Sequence, residues 1–196
     1  MTVGYWRQMV IMSITKPAEA ARVLMAMQIP SQALWTGLAL VAVLNTALFT
    51  LSNLLMPGPS PLPAIFNSPI LYLAIVMAGL TLTIYGLFFV GRLFGGKGSV
   101  ADIMVLIVWM QALRVLAQAA TLVLVMTVPF LAMIVVFAAA LVGVYMLVHF
   151  VDQAHRFGSV GRAALVLIAS VLAIVVGLSL IVTLIGGPNV GSLPNV

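Results

Sequence analysis

Five long apolar stretches, separated by short polar gaps, organise this chain. They run from Ala33 to Met56, Ile70 to Phe89, Ile103 to Met126, Phe130 to Phe150 and Ala163 to Ile185. Each supplies the roughly 20 apolar residues that a helix needs to cross a bilayer. The pattern predicts an all-α, polytopic membrane bundle of five transmembrane helices spanning 31–186. Residues 1–30 form a preceding interfacial segment, and 187–196 form a tail rich in Gly, Pro and Asn that is expected to be mobile.

The gaps differ in charge. Arg7, Lys16 and Arg22 precede the first run, Arg92 and Lys97 lie between the second and third, and Arg156 and Arg162 lie between the fourth and fifth. The other two gaps and the tail carry no charged side chain. Cytoplasmic loops retain an excess of Lys and Arg, so the alternation predicts an N-terminus inside and a C-terminus outside. Composition agrees with a membrane protein: hydrophobic residues make up 64% of 196 positions and charged ones 6%, against about 25% charged in a soluble domain. The net charge of +5 is spread over three loops, which fits topology and not a nucleic-acid footprint. Without Cys, disulfides, thiolate metal sites and cysteine nucleophiles are excluded. The start does not resemble a secretory signal, since a short apolar stretch leads to Lys16, Pro17 and Glu19; the mature chain is expected to begin at Met1.

Within 1–30, Pro17 followed by Ala18, Glu19, Ala20 and Ala21 predicts a helix start. Val23, Leu24 and Met27 recur at helical spacing with Arg22 on another side, and Tyr5, Trp6, Met9, Val10 and Ile14 suggest a shorter amphipathic piece before them. Both are too short to span and are expected in the cytoplasmic interface, a depth that suits Tyr5 and Trp6. The five prolines between Pro57 and Pro69 predict a stiff, extended crossover. The break at Thr127 to Pro129 is so short that spans three and four should form a tight antiparallel hairpin. No internal repeat suggests inverted halves.

One cation breaks the pattern. Ser99 with Asp102 reads as a capping box opening the third span, and Arg114 then lies about 22 Å along that helix, deep in the hydrocarbon region. An intramembrane Arg costs at least about 2.5 kcal/mol unless paired or snorkelling, so it is expected to face the bundle interior. Gln111, Arg114, Gln118 and Thr121 form a polar stripe at spacings of three, four and three. Asn45 of the first span, with Thr46 beside it, lies at nearly the same depth, whereas no carboxylate does. Such a cation invites a lipid phosphate, a carboxylate ligand or a partner subunit's acid; satisfaction by Gln, Asn and backbone carbonyls is the structural alternative.

Two further constellations stand out. Tyr145, His149 and Asp152 share a face near the end of the fourth span, followed by His155 and Arg156. They could move a proton, but polar termination of a helix, with Asp152 and Arg156 as an i,i+4 pair, fits better, and no metal site is expected. The segment Gly91-Arg92-Leu93-Phe94-Gly95-Gly96-Lys97-Gly98-Ser99 approaches a phosphate-binding loop, but Gly98 stands where Ser or Thr is needed and a transmembrane helix precedes it. Nucleotide binding is rejected. Arg92, Gly95, Gly96, Lys97 and Ser99, at a helix N-terminus, still favour an anion, and at an inner membrane face that is a lipid headgroup. A tight turn needing glycines is the plainer reading. Ala139 with Gly143, and Gly79 with Gly86, are small-residue steps suited to intramolecular packing.

Lys16-Pro17 near the start of an interfacial segment, five spans, the Gly91 to Ser99 loop and His155-Arg156-Phe157-Gly158 in the last inner loop resemble the Ypt-interacting-protein (YIP) family. The compact N-terminus resembles its bacterial branch. The resemblance implies five spans and an inner N-terminus; eukaryotic members are linked to vesicle traffic and Rab-type GTPases, while for bacterial ones it supplies no biochemical activity. Arg114 departs from the mainly apolar third span expected of the family, so its role is not inherited.

These features point to a non-catalytic bacterial inner-membrane protein, without cofactor, that binds anionic lipid or a partner subunit as scaffold or assembly factor. A small transporter or lipid scramblase using the Arg114 stripe is the alternative. An intramembrane enzyme fits least: no His-Glu-x-x-His, paired intramembrane carboxylates or Ser–His pair at matching depth is present.

Overall fold

A computed structural model describes residues 3–56 and 68–186. The crossover from residue 57 to residue 67 and the tail 187–196, both singled out above, lie outside the described residues. Among the described residues seven helices follow one another: α1 Val3–Thr15, α2 Pro17–Ala26, α3 Ser31–Leu55, α4 Pro69–Leu93, α5 Val100–Thr127, α6 Pro129–His155 and α7 Val160–Gly186. The last five are long and apolar enough to cross a membrane. The protein is an all-helical, multi-pass membrane protein.

The local sequence explains where each helix starts. Pro occupies the first turn of α2, α4 and α6, where its missing N–H loses no helical bond and its fixed φ suits the helix. α5 starts at the predicted capping box: Asp102 N–H donates to Ser99 Oγ (3.0 Å) and Ser99 N–H donates to Asp102 Oδ2 (3.1 Å). α6 ends with Arg156 in the left-handed region, φ 57° and ψ 41°, while Phe157 N–H donates to the Asp152 carbonyl (3.1 Å). That closing geometry usually employs Gly.

The spanning helices extend past the apolar windows at the end that carries the basic residues, termed here the basic end. α4 continues to Leu93 and α6 to His155, because helical backbone persists through Gly, Arg, Asp and His once neighbouring helices hold it. Most of the packed interior lies here. Ile84, Leu87 and Val90 of α4 meet the unbroken run Ile103 to Ile107 of α5, Phe150, Val151 and Ala154 of α6, and Ala163 and Val166 of α7. Association of helices in lipid relies on close packing more than on exclusion of water, so interdigitation here holds the helices together.

The N-terminal helices belong to this packed end. α2 buries Pro17, Ala20, Ala21 and Leu24, and packs on α5 and α6. Small residues let it approach closely. Its buried face therefore differs from the Val23–Leu24–Met27 face expected from spacing: Val23 is exposed and Met27 only half-buried. α1 buries Met9 and Ser13. Trp109 Nε1–H of α5 donates to Ser13 Oγ (2.9 Å), and the Trp109 ring stacks on Trp6 with centroids 5.8 Å apart. Trp109 lies about 14 Å along α5 by helical rise, so α1 sits well below the helix ends.

The small-residue steps divide. A Cβ on Gly86 would meet Ile174 Cδ1 of α7 at 3.1 Å, so Gly86 permits a close α4–α7 approach. Around Gly79 and Gly143 a Cβ would meet nothing within 4 Å. The Ala139–Gly143 step, expected to pack within the chain, faces outward instead, because the α6 segment carrying it is exposed on most sides.

Candidate functional site

Two polar regions stand out, one in the half of the bundle away from the basic end and one at the basic end itself. In the first, Asn45 of α3 is buried. Its Nδ2–H donates to Gln118 Oε1 of α5 (3.0 Å), and its Oδ1 accepts from the Tyr72 hydroxyl of α4 (3.2 Å). Tyr72 in turn stacks on Phe49, with centroids 4.1 Å apart and planes within 4°. One amide thus ties three helices together. Thr46 and Thr121 bond to carbonyls of their own helices, Ala42 (2.9 Å) and Ala117 (2.8 Å), so they add no inter-helix link.

Arg114 lies one turn before Gln118 and does not face the interior. Its side chain is exposed, whereas Gln111, Gln118 and Thr121 are half-buried. The stripe marks the margin of the α3–α5 contact: the short amide of Gln118 turns inward to Asn45, and the longer Arg114 extends past it. Lys16 and Glu19 form the ion pair found among the described residues (3.4 Å), and Arg114 makes none there. The sequence identified Asn45 and Gln118 as candidates but missed Tyr72, which lies in the first turn of α4. A lone Tyr at a helix start resembles an interfacial anchor, and only three-dimensional proximity reveals its partner.

At the basic end the glycine-rich loop closes on His155. The imidazole is 1% exposed, stacks on Phe157 at 5.2 Å, and has Nδ1 3.1 Å from the Val151 carbonyl. A carbonyl can only accept, so this nitrogen carries a proton. Nε2 has no hydrogen-bond partner among the described residues. A Cβ on Gly91 would collide with the ring, one on Gly96 would lie 2.5 Å from His155 Cδ2, and one on Gly98 would lie 2.7 Å from the Ala154 carbonyl oxygen. Lys97 N–H donates to the His155 carbonyl (3.0 Å). Three glycines therefore serve as walls for an aromatic ring. Gly95 alone in this loop needs its conformational freedom, at φ +82°.

The anion-binding features of the loop are arranged around that packing. Arg92 and Lys97 are both exposed, and the Arg92 guanidinium lies 5.0 Å from the Phe88 ring centroid. Ser99 is already engaged in the capping box, its N–H donating to the Asp102 carboxylate and its Oγ accepting from Asp102 N–H.

The Tyr145–His149–Asp152 group does not assemble as a proton relay. His149 Nδ1 lies 2.9 Å from the Tyr145 carbonyl, and the two rings are 4.5 Å apart. Asp152 is buried and turns elsewhere: it accepts from Ser159 N–H (2.8 Å) and Gln153 Nε2 (2.9 Å). The expected Asp152–Arg156 ion pair is likewise not formed, because Asp152 closes the α6–α7 turn and Arg156 projects outward as the left-handed cap residue.

The sequence profile of the Yip1 domain matches residues 11–181. That range begins inside α1 and ends near the close of α7, and it takes in the glycine-walled histidine. The chain belongs to the Yip1 family. No curated protein and no solved structure matches it. The matched range covers all five spanning helices, nearly to the end of α7.

Proposed function

We propose that this chain is a non-catalytic integral membrane protein that binds an anionic lipid or an acidic partner subunit as a scaffold or assembly factor. The observation that carries the reading is Arg114, exposed near the middle of α5 and without an ion pair among the described residues. A cation at that depth is costly and needs a compensating anion or a snorkelling path. Arg92 and Lys97, exposed at the basic end, add headgroup contacts. The polar-track alternative gains less support, since Asn45, Gln118 and Tyr72 satisfy one another and tie the helices a track would separate.

The test is native mass spectrometry after gentle extraction, wild type beside Arg114→Leu. The reading expects a retained anionic lipid or stoichiometric protein that is lost in the variant. A wild type that flies bare and monomeric, with an equally folded variant, would refute it. The compact N-terminus is the ground for proposing a bacterial inner membrane, and the alternating charge supports an orientation with the basic end in the cytoplasm. A reporter fused after Val196 is then expected to read outside; an inside signal would overturn the orientation.

A further inference from the structure

A cavity of about 540 Å³ opens at the basic end between α2, the start of α3 and the start of α5. We infer that this cavity is a binding site for an anionic amphiphile, a phosphate or carboxylate headgroup carrying an apolar tail. Arg22 and Arg156 supply its cationic side, and Leu24, Ile29, Leu34 and Val105 supply its apolar side.

Arg22 Nη1 donates to the neutral Gln153 Oε1 (3.3 Å), and neither guanidinium makes an ion pair among the described residues. The nearby acids form no ion pair there with either Arg, and two cations stand against the single carboxylate that lines the cavity. Asp102 lines the cavity, but one of its carboxylate oxygens closes the α5 capping box. Asp152 is committed to Ser159 and Gln153. Two planar forks beside one cavity suit a phosphate or carboxylate, which each can engage in a bidentate manner. The apolar walls select an amphiphile over a free anion, since a bare phosphate would leave Leu24, Leu34 and Val105 facing it.

Backbone geometry points to the same place. Gln28 (φ 45°) and Arg156 (φ 57°) are the two non-glycine residues with positive φ among the described residues, and both line this cavity. A left-handed cap normally filled by Gly holds an exposed Arg at the edge of the cavity, at some conformational penalty.

This site is separate from Arg114, so the two readings can fail independently. The experiment is titration of the detergent-solubilised full chain with phosphatidylglycerol, phosphatidylcholine of the same acyl chains, and inorganic phosphate, read as bound adducts by native mass spectrometry. The variants are Arg22→Gln with Arg156→Gly, Ala101→Trp and Arg114→Leu. Arg156→Gly removes the charge while relieving the left-handed backbone, and Ala101→Trp fills the cavity with both cations intact. The inference expects the phosphatidylglycerol adduct to weaken about tenfold or more in the double variant, the scale of lost charge-assisted hydrogen bonds. Ala101→Trp should weaken it similarly, Arg114→Leu should retain it, and phosphatidylcholine should bind more weakly than phosphatidylglycerol. An adduct unchanged by both the double variant and Ala101→Trp would overturn the site. Displacement of the lipid by equimolar inorganic phosphate would overturn the amphiphile and leave a free-anion site. Loss confined to Arg114→Leu would place the lipid at Arg114 and refute the cavity.

Discussion

The two halves of this bundle are built on different principles. At the basic end, helices α2 to α7 interlock around Phe150 and the Ile103 to Ile107 run, and Gly91 and Gly96 make room for the His155 ring. In the other half, Phe130, Met133, Phe137 and Leu141 of α6 are exposed, and one hydrogen-bonded set, Asn45 with Gln118 and Tyr72, links three helices. One half is held by shape and the other by a few directional bonds. A membrane protein can tolerate the second arrangement because lipid covers exposed apolar side chains without penalty, which leaves that half free to adapt.

Substitutions can break this contrast in a graded way. Gly91→Ala should have the largest effect: the added methyl collides with the His155 ring, and overpacking of this kind costs about 1–3 kcal/mol or more. Unfolding in mixed detergent should show a clear loss, and wild-type stability in the variant would mean that His155 is not held as described. Next comes Asn45→Leu. Buried inter-helix hydrogen bonds in membranes average about 0.6 kcal/mol with a maximum near 1.7, so a double-mutant cycle with Gln118→Leu should return a coupling in that range. A coupling indistinguishable from zero would remove the clasp. Gly79→Ala should have the smallest effect, near neutral or slightly stabilising, because a Cβ there meets nothing and Ala favours the helix by about 1 kcal/mol. Marked destabilisation would show that α4 is packed more tightly there than it stands in this structure.

The sequence made the architecture legible because hydropathy and charge are one-dimensional signals. The five apolar windows fall within a few residues of α3 to α7, and Ser99 with Asp102 identified a helix start to the residue. What the sequence concealed depends on which residues meet. The glycines from Gly91 to Gly98 read equally well as an anion cradle or a turn, and only the buried ring of His155 decides their role. Arg114 was expected inside because an intramembrane cation is costly and its stripe is polar. The stripe instead follows the edge of a helix contact, where a short amide reaches in and a long guanidinium reaches out. Periodicity gives the direction of a side chain from its own helix and says nothing about where the neighbouring helix ends.

The contact between Arg22 and Gln153 joins residues 131 positions apart, which has a consequence for biogenesis. α2 rests on α6 as well as on α5, so the N-terminal helices cannot complete their docking until the fourth crossing has been made. At about 5–20 residues per second, the ribosome needs roughly 7 to 26 s to supply that partner. Through that interval α1 and α2, with Met9 and Leu24 uncovered, must wait at the membrane surface or in the grip of a chaperone. The first helices synthesised are among the last to find their place.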